Sequence, residues 1–72
     1  MSQPLKNPDL EALALSTAKV LKADGKAMAS QFIFGALENM GLYDLKDPKK
    51  SKLKGWEVHA IADRSLALAG SL

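Results

Sequence analysis

Residues 7–42 read NPDLEALALSTAKVLKADGKAMASQFIFGALENMGL, two helical patterns joined at Asp24-Gly25. Asn7-Pro8-Asp9 is a helix start: an asparagine to cap, a proline suited to the first helical position, and an acid that complements the dipole. Leu10, Leu13, Ala14, Thr17, Val20 and Leu21 then share one face, with Glu11, Lys19 and Lys22 on the other. This spacing predicts a helix over residues 8–23, ended by Gly25 in a left-handed exit. A second helix is expected over 26–40, with an apolar stripe of Met28, Ala29, Phe32, Ile33, Ala36, Leu37 and Met40. Gly41 followed by Leu42 has the form of a Schellman ending, in which Leu42 folds back over the last turn. Two amphipathic helices on either side of so short a turn make a helical hairpin.

Two residues fall off these stripes. Leu15 lies on the charged side of the first helix, and Phe34 points between Ser30 and Glu38 on the second. Single exposed apolar residues are common. A large aromatic asks for cover, either from a third helix or from a subunit contact. Leu15 and Phe34 are therefore the candidate interface residues.

On either side of the hairpin the pattern changes. Residues 1–6 are expected to form a loose arm. Residues 43–55 are a punctuated connection, in which Asp47-Pro48 marks a turn and Lys46, Lys49, Lys50, Lys52 and Lys54 place five lysines within nine residues. A third helix is expected over 56–69, with Val58, Ile61, Ala62, Ser65, Leu66 and Ala69 on one side and Gly70 ending it. Trp56-Glu57-Val58-His59-Ala60 also alternates like a strand, so a short β-ribbon around residues 42–58 is the competing reading. The expected fold is all-α: one three-helix domain over residues 1–72 with an N-terminal helical hairpin.

Composition narrows the functions. At 72 residues, 47% hydrophobic and 25% charged, the chain is too apolar for disorder and too short for more than one domain. Its core is small, so self-association as a homo-oligomer, or a place in a larger complex, is expected. With no cysteine and one histidine, neither a disulfide nor a metal site is expected, and no cofactor. Met1-Ser2-Gln3-Pro4 lacks the basic start and apolar run of a signal peptide. The longest apolar stretch, Phe32 to Leu37, falls short of the roughly twenty residues a membrane span needs. A cytoplasmic protein without a membrane contact is the expectation.

Catalysis is poorly served. His59 is the sole imidazole, Ser65 lies six residues on and off its face, and Asp63 one turn away makes at most a surface pair. Nothing supplies a second acid or an oxyanion site, so no catalytic residue and no small-molecule substrate are expected. The lysine run is the feature with functional content. Clustered lysines release counterions from a phosphate backbone without reading sequence, and Trp56 just beyond them can stack on a base or anchor a protein. The net charge of +2 permits nucleic acid without requiring it. A solvated connection, with Trp56 in the core, and an acidic protein partner are the competing readings.

One resemblance bears on these choices. Val20-Leu21-Lys22-Ala23, followed after an eight-residue interval by Phe32-Ile33-Phe34-Gly35-Ala36-Leu37-Glu38, resembles the small conjugal-transfer proteins called TraD, which are distinct from the large coupling ATPase of the same name. The likeness spans residues 18–68. Their strongly basic N-terminal segment is missing, and the lysines lie mid-chain instead. The resemblance implies a helical accessory protein of plasmid DNA processing or transfer, with no catalytic residues. The leading expectation is a non-enzymatic helical interaction module using Leu15, Phe34 and the lysine segment. A nucleic-acid-binding accessory protein comes second, and a small inhibitor or adaptor docking on a larger enzyme complex third.

Overall fold

The first helix is set by its cap. In a computed structural model that describes residues 3–72, the Asn7 side chain accepts from the Asp9 and Leu10 N–H groups at 2.9 and 3.4 Å. Pro8 then opens α1 (Pro8–Asp24). The Gly25 N–H closes onto the Leu21 carbonyl at 3.0 Å, and the Gly25 carbonyl accepts from Ala29 N–H at 3.1 Å. One residue thus ends α1 and begins α2 (Lys26–Asn39). It does so at φ 92° and ψ −179°, a conformation essentially restricted to glycine. At the far end of α2, Leu42 N–H donates to the Leu37 carbonyl at 2.9 Å and Gly41 N–H to the Glu38 carbonyl at 3.0 Å. These are the two bonds of a Schellman motif, with Gly41 at φ 72°.

A crossover carrying a short 3-10 turn (Pro48–Lys50) leads to α3 (Gly55–Ala69). The fold is all-α, three helices with no strand among the described residues. The ribbon weighed for residues 42–58 does not form. Lys52 and Leu53 both donate to the single Leu42 carbonyl, at 3.0 and 3.2 Å, which clips the crossover to the end of α2 without starting a ladder. Beyond that clip, Glu57 and Val58 N–H groups turn back to the Lys54 carbonyl and commit the segment to helix. No helix among the described residues is long and apolar enough to cross a membrane.

α1 is the shared partner. α2 returns antiparallel to it, while α3 runs parallel: Glu11 meets Arg64, and Lys22 Nζ donates to the Leu72 carbonyl. An apolar groove separates α2 from α3, with Ser30, Ile33 and Ala62 along it. Large core residues, namely Leu10, Leu13, Ile33, Leu37 and Ile61, gather toward the start of α1. Farther along, the contact is made by Ala14, Thr17, Ala18, Ala29 and Ser65. The buried Thr17 and Ser65 hydroxyls donate to the Leu13 and Ile61 carbonyls of their own helices, both at 2.8 Å, and so ask nothing of a neighbour.

The α2 stripe is narrower than its periodicity suggests. Ala29, Ile33 and Leu37 are buried, whereas Met28, Phe32 and Met40 are exposed. The reason is topological: α2 has α1 beneath it and α3 on one side only. Leu66 is exposed on α3 for a related reason, since it lies on the rim of the groove. Of the arm expected over residues 1–6, Met1 and Ser2 lie outside the described residues. Leu5 packs on the core, and its N–H donates to the Glu11 carboxylate at 3.1 Å.

Glu11 also takes Arg64 in a forked contact, Nε at 3.0 and 3.1 Å and NH2 at 2.8 Å, joining arm, α1 and α3. The Arg64 guanidinium, then the Leu5 N–H, hold this carboxyl below the usual carboxylate range. A depressed folded pKa adds stability that is complete above the unfolded value, about 4.3. That stability is lost as pH falls through the lower folded value. Acid titration of stability should therefore fall more steeply for the native chain than for Glu11→Gln below about pH 4, and parallel curves would refute the coupling. Glycine replacements should split by backbone. Gly25→Ala meets no atom within 4 Å yet should cost roughly 1–3 kcal/mol in urea unfolding for its φ alone. Gly35→Ala, equally open but helical, should stabilise by about 0.5–1 kcal/mol.

Candidate interaction surface

The end of α2, the crossover and the start of α3 meet at the pole where α1 begins. Acidic side chains give the crossover its shape. Asp44 Oδ1 accepts from Lys46 and Asp47 N–H groups at 2.9 and 3.1 Å, and Asp47 Oδ1 accepts from Lys49 N–H at 3.1 Å. Ser51 Oγ accepts from Asp44 N–H at 3.0 Å, closing the loop on itself. These are Asx-turn contacts, in which a short side chain replaces a backbone acceptor. The lysines are left facing water: Lys46, Lys49, Lys50, Lys52 and Lys54 are all exposed, and none makes an ion pair among the described residues. Lys46 and Lys50 rim one hollow with Glu38 and Asp44, and Lys49 and Lys50 stand on the 3-10 turn.

Trp56 belongs to the same pole. It sits in the first turn of α3 at 68% exposure, the most open of the large apolar side chains, so it is not a core residue. Beside it lies a hollow walled by Pro4, Leu5, Leu10 and Ala60, with Lys6 at its edge. The five lysines lie on the crossover from α2 to α3 and Trp56 in the first turn that follows it; Lys46 and Lys50 line one hollow and Trp56 another, with no residue in common.

The two candidate interface residues are not brought together. Leu15, 41% exposed, borders a hollow with Leu5 and Leu68 on one flank of α3. Phe34 lies on the other flank, facing Val58 and His59 across the groove. Phe34 is half-buried, its ring tilted 51° against Tyr43 with centroids 5.2 Å apart. Its cover therefore comes from the residue that follows the Schellman turn, which reverses the chain and carries Tyr43 back over α2. The bare apolar flank of α2 is instead Met28 and Phe32, one turn apart at 50% and 38% exposure.

The polar groups weighed for catalysis are scattered. His59 is exposed at the rim of the groove, while Ser65 is 2% exposed with its hydroxyl committed to Ile61. No group of three or more histidine or carboxylate side chains is placed to hold a metal ion among the described residues.

The lysine field at Trp56 has a direct readout, because this is the only tryptophan in the chain. Its ratio of iodide to caesium quenching should exceed that of free N-acetyltryptophanamide under the same conditions. The excess should shrink when Lys52 and Lys54 become alanine. A ratio equal to that of the free compound would show that the lysines do not act at the ring. No family model matches this chain, and no curated protein or solved structure does either.

Proposed function

We propose that this chain is a non-enzymatic helical interaction module of the cytoplasm, one that self-associates or seats in a larger complex. The observation that carries this reading is the uncovered flank of α2. Met28 and Phe32 stand one turn apart on the side away from α3, with Gly35 beside them offering no side chain. Exposed apolar surface of this kind contributes about 25 cal/mol for each Å² removed from water, and α1 and α3 are already committed elsewhere. A core this small also gains more than a large one does from a further layer.

A second reading is favoured by a different observation, the gathering of Trp56 and five unpaired lysines at one pole. It makes the chain a nucleic-acid-binding accessory protein, in line with what the resemblance to small TraD-type proteins implies. The two readings use separate surfaces and are compatible.

Self-association predicts a melting temperature that rises with protein concentration. The Met28→Glu/Phe32→Ser double variant should be monomeric by sedimentation, keep its helical circular dichroism, and melt at a temperature independent of concentration. A native chain that stays monomeric at millimolar concentration would sink the self-association.

A further inference from the structure

We infer that the pole carrying Trp56 binds single-stranded nucleic acid, with one base stacked on the indole and the backbone held by the crossover lysines. This rests on the second reading for its polyanion contact and goes beyond it in naming the strand and the base-stacking residue.

The phosphate half of the site follows from charge. Five lysines leave a loop whose backbone is fixed by Asp44, Asp47 and Ser51, so their stems start from set positions. The two loop aspartates leave a surplus of three positive charges over residues 44–54, five lysines less two aspartates. Lysine is a point charge with freely turning donors that can meet phosphodiesters at varied angles; arginine's fork, which reads base edges, is absent from the loop, so the contact is to the backbone.

The base half follows from exposure. A tryptophan this open in the first turn of a helix presents most of its ring to solvent among the described residues. The adjoining hollow is apolar where Leu5, Leu10 and Ala60 wall it; Lys6 and Glu57 also line it, and Lys54 lies two positions before Trp56 in the sequence. An apolar wall beside an open ring, with Lys6 at its edge, offers a base a surface to stack on. The stack hides base faces in a duplex, so only an unpaired strand can use the ring.

The test titrates the full-length chain with an oligo(dT) of about 12 nucleotides, with the same length of duplex, and with heparin. Indole fluorescence and anisotropy of end-labelled DNA are both read. The expected result is quenching of Trp56 by the single strand, tighter than any duplex binding. Affinity should fall roughly 20- to 100-fold between 50 and 200 mM salt for three to five phosphate contacts. Trp56→Ala should weaken single-strand binding about tenfold, while Trp56→Phe restores part of it. Each lysine replaced by alanine should lower the salt slope by about 0.7. Salt-sensitive binding of duplex or heparin with no quenching, or no loss in Trp56→Ala, would overturn the inference and leave the polyanion reading standing. No binding of any of the three at 50 mM salt would overturn both.

Discussion

The fold leans on the shallow face of α1. Ala14 and Ala18 are fully buried there, Thr17 nearly so, and Ser65 is the matching residue on α3. Short side chains let the two helices approach closely, and dispersion between backbones replaces the interlocking of large groups. Polar atoms at such a seam would ordinarily demand partners across it. Thr17 and Ser65 avoid this by bonding within their own helices, which makes each behave as a small residue with no directional requirement. The large side chains are then concentrated at one end, where Leu37 and Ile61 are completely enclosed. Both neighbours of α1 depend on this taper, because neither α2 nor α3 has a comparable contact with the other.

Charge is divided by task. The acidic and amide oxygens build structure: Asn7 caps α1, Asp47 caps the 3-10 turn, Asp44 shapes the crossover, and Glu11 binds three segments at once. Arg64 is the one basic side chain in an ion pair among the described residues. The crossover lysines have no such duty, and their charge is available to something outside the chain. The same pole holds the most exposed aromatic. Order and availability thus coincide there, where a loop braced by its own hydrogen bonds carries exposed cations.

What the sequence revealed is what short-range chemistry decides. Asn7-Pro8, Gly25, and Gly41-Leu42 each act through neighbours within four or five positions, and all perform the roles that their residue types imply. The lysines were legible as a cluster, and their exposure follows from their type. The faces of α2 were not legible, because a stripe records where apolar residues lie and not how many neighbours arrive to cover them. Phe32 and Phe34 exchanged roles for this reason: Tyr43 supplies cover on one side, and nothing comes to the other. The alternation through Trp56 to Ala60 suggested a strand, yet the capping carbonyl of Lys54 drew the same residues into a helix. Leu15 and Phe34 looked like one surface only while the position of α3 was unknown.

The topology also sets an order of assembly. Contacts between α1 and α2 close across a single-residue turn, whereas Glu11 and Arg64 meet over a separation of 53 positions. Once the hairpin has formed, α3 has only the crossover of residues 40–54 to close, a chain-entropy cost of about 2.4 kcal/mol beyond a constant term. The return is the enclosed Ile61, a seam of small side chains and one forked ion pair. The shorter closure favours the hairpin forming first, its alanine face bare until the third helix docks. Amide exchange along the chain would carry this hierarchy as a step in protection between the hairpin and residues 55–69.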